Sequence, residues 1–164
     1  MLKIAIPTVA GPFLACYSTQ GLARLDFPQP SRQNNPETAS ADLSAPAQKW
    51  HAATTRALKQ ILSGQPPDAL PPLDLSVGTE FQKRVWHALC QIPIGKTQSY
   101  AQIAAAIGQP KATRAVGSAC GANPIPVLIP CHRVLAAHQR LGGFSGGLDW
   151  KRKLLAREGI EFAG

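Results

Sequence analysis

The sequence predicts an α/β protein of the α+β kind, with a small strand-rich N-terminal domain over residues 1–76 and a helical domain over 77–164. Three observations carry this. The start of the chain falls into short β-prone runs broken by glycine and proline, and apolar residues recur at helical spacing from Thr79 to Ala119. Between the two regions lies a connector carrying Pro66, Pro67, Pro71 and Pro72. A chain of 164 residues with 45% hydrophobic and 16% charged residues can build a core and is not a disordered tail. No run reaches the ~18–20 apolar residues of a membrane helix.

KIAIPTV, FLACYST and LARLDF read as three strands, separated at Gly11-Pro12 and at Gly21. Pro7, Gly11 and Pro12 break the apolar start, so strands joined by a turn fit better than an export signal. Residues 28–48, rich in Pro, Gln, Asn and Ser, read as an exposed loop. Trp50, Ala53, Ala57, Leu58 and Ile61 form one stripe of a helix over 50–62 that Gly64 ends. Thr79 caps a helix with Phe81, Val85, Leu89 and Ile92 on one face and Lys83, Arg84 and His87 away from it. Ser99 caps a shorter helix with Tyr100, Ile103, Ala104 and Ile107 inward, and Gly108 stops it. Pro110 suits the first turn of the next helix, where Ala112, Ala115, Val116 and Ala119 point inward. After the Asn123-Pro124 turn, IPVLIP reads as a buried strand arriving at Cys131. Four glycines in LGGFSGG mark a loop whose backbone takes unusual angles or comes very near a ligand. A basic helix from about Leu148 to Arg157 closes the chain.

Charge is divided unevenly. Residues 1–74 hold six basic and five acidic residues, whereas 75–164 hold eleven basic and four acidic ones. A net charge of +7 in the second half points to a polyanionic partner there. Two short helices around a tight glycine turn make a helix-turn-helix, and the outer face of the second bears Lys111, Arg114, Ser118 and Gly121. An ordinary surface helix would share that pattern; the charge favours nucleic acid.

The cysteines at 16, 90, 120 and 131 have no C-x-x-C spacing, so neither a metal site nor a redox pair is indicated. A reducing, cytoplasmic setting is the simpler expectation. Cys16, Cys90 and Cys120 sit among apolar neighbours and read as core. Cys131 is different because His132 and Arg133 follow it. Thiols react as thiolates, and an adjacent base or cation lowers the cost of making one. Adjacency alone also fits a buried cysteine beside an incidental histidine.

The whole string decides between them. GTEFQKRVWHALCQIPIGKTQSYAQIAAAIGQPKATRAVGSACGANPIPVLIPCHRV, followed by LGGFSGG and KLLAREG, resembles the O6-alkylguanine-DNA alkyltransferases from Gly78 to about Gly159. The first 77 residues match only in outline. The resemblance implies a winged helix-turn-helix that binds double-stranded DNA, flips an alkylated guanine, and moves the alkyl group onto Cys131 once, with no cofactor, metal or membrane, as a monomer. It implies that the thiol loses its proton through water to His132, which Glu158 holds, and that Tyr100 serves the guanine and its departure. Arg114 matches the arginine inserted into the base stack, and Gln82, Ala101, Gln109 and Ser118 match further DNA-facing positions. Asn123 matches a turn-bracing asparagine. The carbonyls of Cys131 and Val134 and the amide of Ser145 match groups that bind the guanine edge. On its apolar spacing alone Tyr100 also fits the core, so both readings stand.

Two departures bear on substrate range. Ala137-His138-Gln139-Arg140 replaces a segment that is often a glycine turn, and Phe144 stands where tyrosine is frequent. A DNA-binding relative that transfers nothing would lack the acceptor cysteine, which is present here. A cysteine hydrolase would leave the helix-turn-helix and the charge asymmetry without a purpose.

Overall fold

A computed structural model describes residues 1–30 and 43–164. β1 (Leu2–Ile6), β2 (Phe13–Tyr17) and β3 (Leu22–Asp26) form an antiparallel sheet in that order, as the three apolar runs predict. The outer edge of β3 is not left open. The Leu22 amide donates to the Pro72 carbonyl and the Asp74 amide to the Leu22 carbonyl, each at 2.8 Å, so the proline-rich connector runs beside β3. Further along, the Leu25 amide donates to the Pro124 carbonyl at 2.9 Å, which ties the sheet to the second half of the chain.

α1 spans Ala45–Leu62, beginning five residues before the predicted start at Trp50. Ser44 caps it and Pro46 sits in its first turn, two starting signals inside a segment read as loop. The rest of that predicted loop, 31–42, lies outside the described residues.

α2 (Glu80–Cys90), α3 (Tyr100–Ala106) and α4 (Thr113–Gly121) pack on one another. Thr79 and Ser99 cap the first two as predicted, each within a reciprocal capping box closed by Gln82 and Gln102. Trp86 is buried between the helices and its indole N–H donates to the Ala119 carbonyl at 2.8 Å. Three readings change. α4 begins at Thr113, so Pro110 and Lys111 belong to the turn. Ala115 faces solvent, because Val116, Ala119 and Cys120 complete the buried stripe without it. Cys90, read as core, is exposed at the end of α2.

IPVLIP is buried but is not a strand. Pro124, Pro126 and Pro130 have no N–H to offer a ladder, and Val127 takes a left-handed φ of 75°. The segment instead closes on itself around Asn123, whose side-chain N–H donates to the Ile129 carbonyl at 2.8 Å and whose oxygen accepts from the Ile125 amide at 2.9 Å. A 3-10 turn, Cys131–Arg133, follows. β5 (Val134–Leu135) then pairs in parallel with β4 (Gln98–Ser99), so the start of α3 lies beside the cysteine turn. The short wing closes through an Ala136 amide to Arg140 carbonyl bond of 2.8 Å, with His138 and Gln139 both left-handed. α5 (Leu148–Arg157) packs against the cysteine turn.

One buried cluster runs from Ile4 in β1 to Leu154 in α5. Among the described residues, no helix is long and apolar enough to cross a membrane.

Candidate active site and DNA-facing helix

The turn Cys131–Arg133 sends its three side chains to different partners. Cys131, 3% exposed, lies at a cavity of about 650 Å³ that Tyr100, Arg114, Ser118, Gly143, Phe144 and Ser145 also line. That volume is in the range of small-molecule and base-sized sites. His132 is wholly buried behind it, and its Nε2 lies 3.1 Å from the Glu158 carboxylate. Arg133, also buried, donates from Nε to both Glu158 oxygens at 3.0 Å and from Nη1 to the Ile92 carbonyl at 2.8 Å.

This arrangement fixes the imidazole. A carboxylate accepts at Nε2, so that nitrogen carries the proton and Nδ1 presents a lone pair. Among the described residues, Nδ1 is the one buried side-chain nitrogen or oxygen without a hydrogen-bond partner. Burial holds the His132 pKa below the ordinary histidine value, although Glu158 pulls the other way, so the ring is neutral with Nδ1 open to accept a proton. Burial alone would raise the Glu158 pKa; hydrogen bonds from His132 and Arg133 outweigh it and keep the group a carboxylate.

Burial also dominates at the sulfur, raising the Cys131 pKa to about 11 against the opposing pull of Asn123 and Lys151. The resting group is therefore a thiol, and a base must remove its proton at the moment of reaction. A neutral imidazole with an open nitrogen on the adjacent residue can do that through one bridging water.

Tyr100 closes another side. Its hydroxyl pKa rises to about 12, chiefly through burial, so it is a neutral donor. The backbone of Gly142 passes close to this ring: a Cβ there would lie 2.9 Å from the Tyr100 oxygen, and its φ of 67° also suits glycine. Tyr100 thus serves core and cavity together, as its two sequence readings allow.

Of the residues singled out by sequence, Cys131, Tyr100, Arg114, Ser118 and Ser145 meet at the cavity, with His132 and Glu158 behind the sulfur. Asn123, outside the lining, braces the turn that leads to Cys131. Ala101 and Gln109 are exposed near the ends of α3, outside the cavity lining. Gln82 is outside it too, and its side-chain oxygen accepts from the Thr79 amide in the capping box.

Two groups were missed. Arg133, read as a helper of its neighbouring thiol, is spent on Glu158 and on the Ile92 carbonyl. Lys151, hidden in a helix that reads as uniformly basic, is wholly buried. Its ammonium donates to the Val134 carbonyl at 2.8 Å and to the Gly143 carbonyl at 3.1 Å, and stands 6.0 Å from the Tyr100 ring centre. Burial lowers its pKa to about 8. The one signal in sequence is position: Lys151, Leu154, Leu155 and Glu158 share a helical stripe.

A buried cysteine, histidine and glutamate behind a cavity walled by a helix-turn-helix define a class of DNA-facing cysteine proteins. The family description "6-O-methylguanine DNA methyltransferase, DNA binding domain" matches residues 80–160. The methylated-DNA--protein-cysteine methyltransferase of Methanosarcina barkeri is 39% identical over 161 residues, which cover 93% of this chain and 94% of that one. The crystal structure of Mycobacterium tuberculosis OGT in complex with DNA superposes with a TM-score of 0.71 at 39% identity, covering 94% of this chain and 90% of the other. An O6-methylguanine DNA methyltransferase from Methanococcus jannaschii gives 0.69 at 29% identity, over 98% and 96%. The chain belongs to the methylated-DNA--protein-cysteine methyltransferase family.

Proposed function

We propose that this protein repairs DNA by moving an alkyl group from O6 of an alkylated guanine to the sulfur of Cys131. The observation that carries the reading is the open Nδ1 of His132, a buried base with no partner on the residue after a cavity-facing thiol. In the reaction the Cys131 S–H proton passes through one water to His132 Nδ1, and the imidazolium so formed is stabilised by Glu158. The thiolate attacks the alkyl carbon in line; an S–C bond forms as the C–O6 bond breaks, and the electron pair stays with guanine. The Tyr100 hydroxyl, a neutral donor in the cavity wall, supports that departing charge. A thioether has no easy way back, so each molecule acts once.

DNA lies along α4. Arg114, Ala115, Ser118 and Gly121 form an exposed face of one cation and small residues, suited to close approach in a minor groove. Arg114 also lines the cavity mouth, where its guanidinium fills the place of the everted base. Base flipping costs a few kcal/mol, which contacts with phosphates help offset. In this reading residues 77–164 are the DNA-binding and acceptor domain and 1–76 the supporting one. The protein is a cytoplasmic monomer, and its acceptor works as a reduced thiol.

The test is intact-mass spectrometry after incubation with a duplex carrying one O6-methylguanine. One methyl is gained on the Cys131 peptide, in proportion to lesions repaired. Unmodified protein beside an unrepaired duplex refutes the reading, and transfer surviving Cys131→Ala relocates the acceptor.

A further inference from the structure

We propose that Phe27, from the N-terminal half of the chain, determines which alkyl groups the cavity accepts, by bracing the Phe144 wall that faces Cys131. The inference rests on the transfer reading above and deepens it.

Phe144 is half-buried and lines the cavity with Cys131. It belongs to the glycine-rich loop 141–147, which has no helix or strand of its own to fix it. Phe27, itself outside the cavity lining, meets that ring edge-on, with centroids 5.7 Å apart at 70°. Phe27 is 7% exposed and itself held, 4.9 Å from Trp150 on α5 and 5.4 Å from Phe13 on β2. The strand leading to it is tied to the turn after α4 through the bond from the Leu25 amide to the Pro124 carbonyl. The loop backbone is held by Lys151 at the Gly143 carbonyl and by a bond from the Gly147 amide to the Phe144 carbonyl, and Phe27 is the fixed stop for the Phe144 ring.

Gly146 reports how tight the stop is. A Cβ built there would lie 2.4 and 2.7 Å from two Phe27 ring carbons and 3.0 Å from the Phe144 ring. Added volume at 146 must push these rings, and Phe144 has the cavity to move into. Removed volume at 27 lets Phe144 retreat. The two changes should move the wall in opposite directions.

Rates of transfer to Cys131 are measured by mass spectrometry on matched duplexes carrying O6-methylguanine or O6-benzylguanine. Phe27→Ala raises the benzyl-to-methyl rate ratio roughly threefold to tenfold, and Gly146→Ala lowers it by a similar factor. The double variant returns towards the wild-type ratio, because the new methyl occupies the vacated space. A merely structural Phe27 would slow both substrates alike and leave the ratio unmoved, which overturns the inference. If Phe27→Ala does not fold, Phe27→Leu is read instead: a smaller rise supports the inference and an unchanged ratio overturns it. Wild-type protein that transfers no methyl refutes the transfer reading itself; methyl transfer with an unmoved ratio refutes only the role of Phe27.

Discussion

An ammonium stripped of water costs several kcal/mol unless its donors find partners, and Lys151 has no exposed surface at all. The Val134 and Gly143 carbonyls supply part of the compensation, and they come from the two segments flanking the cavity. The same charge favours the thiolate of Cys131, opposing burial. Lys151→Met removes the charge but keeps most of the volume. It also leaves the Val134 and Gly143 carbonyls without their donor, so thermal stability should fall by about 1–3 kcal/mol. Transfer should slow by about tenfold, the cost of roughly one pKa unit at the sulfur. A variant with wild-type transfer rates would show that the lysine only holds the loop. For His132 the expectation is larger: His132→Phe should cost ~10²–10⁴-fold, the usual range for a lost general base. The wild-type rate should fall in acid as Nδ1 takes a proton, at lower pH than an exposed histidine would, since burial lowers its pKa. Rate–pH profiles in single turnover check both.

Among the elements, those set by local chemistry were legible and those set by tertiary contact were not. Thr79 and Ser99 announce α2 and α3 because a capping hydroxyl with a glutamine three residues on acts within one turn of chain. IPVLIP misled because a run of apolar residues reports burial, whereas its prolines and the reach of Asn123 back to Ile129 decide the path. The cysteine and its helix-turn-helix setting could be read from PCHRV and its context. The pairing of Glu158 with Arg133 as well as His132 could not, since it joins residues 25 apart across a turn and a helix end. α4 carries the sharpest prediction at this scale. Arg114→Ala should slow repair in duplex by about tenfold or more, as roughly 1–2 of the few kcal/mol that flipping costs lose their support. Transfer from the free base O6-methylguanine, which needs no flipping, should change little. Equal losses on both substrates would remove Arg114 from the flipping step.

For the whole molecule the proton balance at the site becomes a statement about stability. Glu158 has a folded-state pKa below its ordinary value, so its contribution is present above that value and lost as pH falls through the folded one. His132 acts in the same sense. Folded, it resists protonation, while the unfolded chain takes up a proton as pH drops through about 6.5, so acid again favours unfolding. Both groups make the unfolded chain bind more protons on the acid side, and their losses add over adjoining windows. Lys151 behaves likewise in alkali: its pKa of about 8 lies below the ordinary value of 10.5, so stability rises between the two as the unfolded lysine alone stays charged. Thermal unfolding followed from pH 4 to 10 should therefore show a steep acid limb and a gain that begins near pH 8 and is cut off from about pH 9, where Cys131 and Cys120, with folded pKa values raised to about 11 and about 12, keep protons that the unfolded chain gives up. Glu158→Gln should start lower at neutral pH, by about 3–5 kcal/mol, because Arg133 is left buried without its carboxylate. From there its acid limb should be flatter than wild type, since the group that held the protons off has gone. Parallel acid limbs in the two proteins would mean that the carboxylate behind His132 is not what acid unfolds.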